Sequence, residues 1–487
     1  MIFNSVTFLI FLFSVICCFW ALPGRARLWL VFLASLTFYG FWKPEFLILL
    51  LFSTTADYLI SLKIQSTEQL KKRRLLVVTS LAINLGLLLY FKYLLFFLDN
   101  AEIVLNLLGA DYSSPALSII LPLGISFYTF QTISYTIDVY RKTIPAQRDF
   151  IAYACYVTFF PQLIAGPILR AGEVIHQFQE TSTFKINNIT LGLRRLIYGL
   201  FLKVVLADNI SPFVDQGFSA GIENLSAIDV ITVAFLFGFQ IYFDFSAYSH
   251  IAIGAALMMG IHFPENFNFP YISKSPREFW QRWHISLSSW IRDYLYLPLL
   301  GVKVRSNSIG GLALATQKHQ EVTRNSTAVL FLTWSIMGLW HGANWTFLVW
   351  GVYHAFFIML YRYISVYTTK INSSFFDFIS WVLTLLVCML GWIPFRAENL
   401  GDVYLMYSKL FQIEEYMYLG LKENIYLITA LLLLFFIVTY FIYEKGNKLL
   451  SMSKLVYFIL QLIILTFAVS MIFVYLRPIS QFIYFQF

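Results

Sequence analysis

Apolar runs separated by short polar breaks extend along the whole chain. They cover roughly 2–20, 28–42, 45–62, 75–98, 116–138, 150–168, 190–207, 226–260, 326–340, 345–361, 376–395, 424–443 and 455–476. A bilayer-spanning helix needs about 20 apolar residues. The pattern therefore predicts an all-α, polytopic integral membrane protein with about ten to twelve spans, the remaining runs being re-entrant or interfacial. The run at 226–260 is long enough to be broken. No internal repeat, low-complexity tract or linker interrupts the pattern, so residues 1–487 read as a single membrane-embedded domain.

Composition supports this picture. Hydrophobic residues make up 59% of the chain and charged residues 12%, against about 25% charged in an ordinary globular protein. The net charge of +8 does not point to nucleic acid, because the basic residues cluster beside apolar runs, where they set topology. Arg25 and Arg27, the Lys71–Arg74 cluster and the Arg141, Lys142 and Arg148 loop are basic. The intervening loop carries Asp99, Glu102 and Asp111 and no Lys or Arg. Towards the other end, the loop from Glu398 to Glu423 is acidic on balance, and that with Lys445, Lys448 and Lys454 is basic. By the positive-inside rule, both termini are expected outside the cytoplasm. No positive charge precedes the apolar stretch Ile2–Trp20, so it reads as a first span rather than a secretory signal.

The stretch 275–301, "SPREFWQRWHISLSSWIRDYLYLPLLG", is amphipathic. Ser275 can cap a helix with Pro276 in its first position, and Glu278 stands at capping-box spacing. Arg277, Gln281, His284, Ser288 and Arg292 recur at steps of three and four, which predicts one polar helical face. Tryptophans and aliphatics fill the rest, as in a helix lying at the cytoplasmic interface. That face is either solvated structure or a wall for an anionic cytosolic cofactor, since arginine's forked donors suit phosphate.

The motif "GLWHGANW" (338–345) is different in kind. No Asp, Glu, Lys or Arg occurs from Asn325 to Tyr361. A helix over 325–340 is roughly 16 residues, or about 24 Å, against a hydrocarbon core of about 30 Å. A helix starting near Arg324 on the cytoplasmic side therefore breaks inside the membrane, at Gly342. Backbone freed there must be buried in protein or line a wet cavity. His341 lies at that break, and an ionisable group at membrane depth is a functional candidate. Its ordinary pKa, near about 6.5, suits a general base. The plainer reading is a hydrogen-bonded packing histidine, and His354, deep in the next apolar run, reads that way. Asp57, Gln131, Asp138, Gln162, Asp244 and His250 also interrupt apolar runs. Asp244 can pair with a histidine or arginine of another helix, and a structural and a catalytic partner stand equally open. Cys17, Cys18, Cys155 and Cys388 lack metal or disulfide spacing and read as small buried hydrophobes. No metal site is expected. No G-x-S-x-G elbow, H-E-x-x-H pair or phosphate loop occurs.

Together "FQIYFDFSAYSHIAIG", "FPENFNFPYISKSPREFWQRWHISLSSWIRDYLYLPLLG" and "GLWHGANWTFLVWGVYHA" resemble the membrane-bound O-acyltransferase family. The similarity is to its bacterial branch of alginate and polysaccharide O-acetyltransferases. "LPLGISFYTFQTISYTIDVYR", "FFPQLIAGPILR" and the closing "FIYFQF" resemble the same branch, so the likeness covers nearly the whole chain. His250 stands where that branch is expected to carry aspartate, and "LPLLG" departs from the usual "PLGG".

The resemblance implies a ring of tilted helices around a central tunnel joining the cytosol to the outside. It implies His341 and His284 as the catalytic pair. Arg277, Arg282, Trp283, Arg292, Asp244, Trp340 and Asn344 are the implied substrate-binding residues. The implied co-substrate is acetyl-CoA, and the implied acceptor is an exported polysaccharide, often reached through a periplasmic SGNH-type acetyltransferase partner. Location in the bacterial inner membrane follows. His341 then acts as a base on an incoming hydroxyl or as a transient acyl carrier. Two other readings stand beside this one. A D-alanylation acyltransferase takes its acyl group from a carrier protein. A transporter or scaffold of an export complex needs no base at His341, and the missing repeats weigh against a transporter. The aromatic tail 482–487 reads as an interface anchor or as a dock for a periplasmic partner.

Overall fold

The computed structural model describes residues 1–180, 182–219, 221–302, 325–368, 371, 373–449, 454–476 and 482–483. Arg324 and Tyr484–Phe487 of the tail lie outside them. The described residues form helices and turns without a strand, as expected of an all-α protein. In chain order the helices are α1 Val6–Ala21, α2 Gly24–Gly40, α3 Phe46–Ser66, α4 Leu70–Leu88, α5 Leu94–Leu107, α6 Ile125–Arg141 and α7 Phe150–Thr158. There follow α8 Ala171–Gln179, α9 Ile186–Phe201, α10 Asp208–Ser219, α11 Ala227–Met258, α12 Pro276–Arg282, α13 Ile285–Ile291 and α14 Leu297–Leu299. The last are α15 Ser326–His341, α16 Trp345–Thr368, α17 Ser374–Leu390, α18 Ile393–Arg396, α19 Leu400–Lys409, α20 Glu423–Leu449 and α21 Lys454–Val474.

Six described helices are long and apolar enough to cross a membrane, and Val6–Ala21 and Phe458–Val474 are shorter apolar ones. The protein is thus multi-pass. The run at 150–168 is not one helix: the helical part stops at Thr158 and the chain continues as buried turns. The run at 226–260, in contrast, is one unbroken helix of 32 residues.

The chain falls into two compact units. The first holds Met1–Leu193, Ala252–Pro264 and Arg292–Thr323. In it α3, α4 and α6 pack around a buried polar knot. The Asp57 carboxylate accepts from Ser80 Oγ and from Asn84 Nδ2 (2.6 Å), and Asn84 Oδ1 accepts from Ser53 and Thr132 (both 3.1 Å). Polar groups at this depth have only each other to bond, which ties the three helices together.

The second unit holds Arg194–Ile251, Glu265–Ile291 and Arg324–Phe487. Its centre is the α15–α16 hairpin. Cβ atoms added at Gly338 and Gly351 would each come 2.2 Å from a carbonyl oxygen of the opposite helix, those of Phe347 and Trp334. Only glycine lets these two backbones approach so closely, the small-residue device of membrane helix packing.

Candidate functional site

His341 is the last residue of α15. Gly342 ends the helix in extended conformation (φ −160°, ψ 150°), and α16 begins at Trp345. The helix break expected at Gly342 is therefore present. Gly342 is closely covered, because a Cβ there would run into the Phe347 ring and force it to move. Asn344 caps α16: its Oδ1 accepts from Thr346 N (3.0 Å), while its Nδ2 donates to the Glu398 carbonyl (3.0 Å).

The His341 side chain is buried at 5% exposure. Three rings wall it, with centroids at 4.8 Å (Trp340), 5.0 Å (Trp350) and 5.2 Å (Phe395). Phe395 arrives on α18. Trp350 stands between His341 and His354, whose ring centroid is 5.0 Å from it. His354 is packed among Trp280 and Trp334 as well, in keeping with its reading as a packing residue. The indole N–H groups of Trp280 and Trp350 and Nε2 of His354 make no hydrogen bond among the described residues. The aromatic box beside His341 thus holds unspent donors.

The amphipathic stretch departs from the single helix expected. Ser275 does cap α12, accepting from Glu278 N (3.1 Å) behind Pro276. The helix then stops at Arg282, and α13 starts at Ile285. Between them His284 adopts φ +41°, a left-handed conformation costly for a residue with a Cβ. A clasp holds the turn: Asn268 N donates to the Arg282 carbonyl (3.0 Å) and Ile285 N to the Asn266 carbonyl (2.9 Å). The side chain of Asn266 accepts from Ser286 N and Oγ and donates to Ser249.

The turn carries His284 off the predicted polar face. Arg277 and Gln281 are exposed, whereas His284 is 1% exposed, edge-on to Phe245 at 4.6 Å and stacked on Phe267 at 6.4 Å. Periodicity assumed continuous helix, and the break rotates everything after it. Trp283 is buried too, and rings run from it through Trp392 (4.8 Å) and Trp350 (6.2 Å from Trp392) to His341.

The arginines are partly committed. Arg282 pairs with Glu278 (2.9 Å) and donates to the Asn268 carbonyl (3.2 Å). Arg277 lies over the Tyr361 ring. Arg292 belongs to the first unit and pairs with Asp293 (2.6 Å), which also receives Arg170 (2.7 Å).

Asp244 is held by a lysine, not by a histidine or arginine. Lys203 Nζ lies 2.6 Å from Asp244 and 2.9 Å from Asp208. The signal was present, as a lysine inside the apolar run at 190–207; Lys203 sits in a π-helical stretch, Leu202–Ala207, after α9. Asp244 also accepts from the backbone N–H of Ile483 (2.7 Å), and Phe482 lies under Lys203 Nζ at 4.5 Å. Phe482 and Ile483 are buried, so this part of the tail is core rather than interface anchor. His250 accepts from Arg195 Nε (3.2 Å), which explains how a histidine is accommodated where a carboxylate was expected. Trp350, Trp392 and Phe395 were not singled out in the sequence, because aromatic residues are common throughout it. No group of three or more metal-type ligands occurs among the described residues.

Comparison with known proteins gives the arrangement its context. The model of the membrane-bound O-acyltransferase family matches residues 143–395. The probable alginate O-acetylase of Pseudomonas putida is 38% identical, covering 84% of this chain and 80% of that protein. The peptidoglycan O-acetyltransferase of Helicobacter pylori is 39% identical, covering 78% and 72%. The teichoic acid D-alanyltransferase of Streptococcus thermophilus is 30% identical, covering 48% and 54%. The matched span holds α15, the break and the walls around His341, and the chain belongs to the membrane-bound O-acyltransferase family, as a multi-pass acyltransferase.

Proposed function

We propose that this protein is an inner-membrane O-acetyltransferase that passes an acetyl group from cytosolic acetyl-CoA toward hydroxyls of an exported polysaccharide. The observation that carries this reading is His341, buried at a helix break inside an apolar hairpin and walled by aromatic rings. A thioester is already activated, so the protein need supply a base rather than a nucleophile. His341 takes the proton of the acceptor hydroxyl while its oxygen attacks the thioester carbonyl, and the thiolate leaves. The unspent indole N–H groups of Trp280 and Trp350 suit a carbonyl oxygen. His284 lies beyond Trp283 and Trp392, on the side of the basic α12, whose Arg277 and Arg282 suit the phosphates of the donor.

The polysaccharide acceptor is favoured over a D-alanylation role by coverage: the two named O-acetylating relatives match over most of this chain, the D-alanyltransferase over about half. Acceptor delivery by a periplasmic SGNH-type acetyltransferase, with both termini periplasmic, completes the reading. The test is acetyl transfer from labelled acetyl-CoA by purified protein, compared with its His341→Ala variant. Loss of transfer in a folded variant is expected; full activity sinks the assignment. Transfer from an acylated carrier protein but not from acetyl-CoA would favour the D-alanylation reading.

A further inference from the structure

The first unit carries a cleft that the acyl-transfer site does not use. It opens where apolar helices end. Trp20, in the last turn of α1, donates its indole N–H to the Met258 carbonyl at the end of α11 (3.0 Å) and meets Phe184 edge-on at 5.2 Å. Phe184 and Ile186, just before and at the start of α9, are exposed (57% and 69%). Apolar helices end at the hydrocarbon boundary, and tryptophan favours that depth. Arg25 bound to Asp149 (3.2 Å) and Gln179 bound to Gln147 (3.2 Å) tie this face to the basic loops assigned to the cytoplasm.

The cleft has a volume of about 500 Å³. Its walls are fixed by backbone bonds. Gln177 makes a reciprocal pair with His262, donating to its carbonyl (3.1 Å) and accepting from its N–H (2.8 Å). Arg27 donates to the Ser182 carbonyl (2.7 Å). Gly260 turns at φ +78°, and a Cβ there would come 3.1 Å from Ser182 Cβ. The charged lining is uncommitted: the side chains of Lys185 and Glu180 form no ion pair or hydrogen bond among the described residues. Ser182, Thr183 and Asn188 add neutral donors to the same lining.

One ammonium (Lys185), one carboxylate (Glu180), the imidazoles of His176 and His262 and several neutral donors line the cleft at headgroup depth, and together they complement a zwitterion that carries a phosphate and a primary amine. A purely anionic headgroup would face Glu180, and a quaternary amine has no N–H to give it. We propose that this cleft binds the phosphoethanolamine headgroup of a membrane phospholipid. The phosphate sits at Lys185 and the neutral donors, the ammonium at Glu180, and the acyl chains against Phe184 and Ile186.

The test uses the purified full chain and native mass spectrometry with phosphatidylethanolamine, phosphatidylcholine and phosphatidylglycerol of identical acyl chains, and with soluble glycerophosphoethanolamine. Phosphatidylethanolamine should be retained over the other lipids by about tenfold, the ratio one charge-assisted contact supplies. Glu180→Gln should abolish the preference over phosphatidylcholine, and Lys185→Ala should weaken all three. Glu180 is exposed, so its variant tests the site even if the lysine variant folds poorly. Equal or better retention of phosphatidylglycerol, a preference that survives Glu180→Gln, or equal retention of the soluble headgroup overturns the proposal.

Discussion

The imidazole of His341 and the indole of Trp350 meet edge to face, with centroids 5.0 Å apart and planes at 81°. Trp350 is held in turn by Trp392 and Phe395, so the His341 imidazole has a packed wall on its α16 side. General-base catalysis contributes about 10²- to 10⁴-fold. His341→Ala should lower kcat for acetyl transfer within that range, and the more conservative His341→Asn, which leaves less of a cavity among the rings, should lower it as far. A kcat within a factor of about three, too small for a lost general base, removes His341 from the chemistry.

Gly342 faces the Phe347 ring without room for a methyl group. Gly342→Ala should cost about 1–3 kcal/mol, the scale of overpacking. A scanning-calorimetry Tm equal to wild type would show that the break relaxes freely.

The α15–α16 hairpin depends on Gly351 more than helix propensity suggests. Alanine is normally worth about 1 kcal/mol over glycine in a helix. Here its Cβ would meet the Trp334 carbonyl at 2.2 Å, so Gly351→Ala should destabilise. Chemical denaturation that finds the variant more stable contradicts the close approach.

Lys203 and Asp244 are buried partners. Removing one member of such a pair costs about 3–5 kcal/mol, because the other charge is left uncompensated. Lys203→Met and Asp244→Asn should each lower stability strongly, and the double variant less than the sum. Additive losses in a double-mutant cycle would mean that the two are not coupled.

Asn344 satisfies the first turn of α16 through Thr346 N. Asn344→Ala should cost about 1 kcal/mol and Asn344→Ser much less. If Asn344 also touches substrate, KM will rise in the serine variant although its Tm is kept; an unchanged KM limits the residue to capping.

Much of this was legible before folding. Ser275, Pro276 and Glu278 announced the start of α12, because capping chemistry is local. The break after His341 was legible because helix rise and bilayer thickness are fixed lengths. The turn at His284 was not: residues on either side are helical in pattern, and what overrides them is a clasp from Asn266 and Asn268, distant in pattern though near in space. Lys203 stands out as a lysine inside an apolar run, but its pairing with Asp244 leaves no local periodic signal, because the two lie on different stretches of the chain.

By itself the sequence determined a multi-pass helical membrane protein, the helix break after His341 and the family motifs, since hydropathy, helix length and caps act over short stretches of chain. Only the tertiary structure decided which rings wall His341, that His284 turns inward, and that Phe482 and Ile483 are drawn into the core by Lys203 and Asp244. Those outcomes depend on contacts between residues far apart in the chain, where packing and the need to satisfy buried charge override local preference.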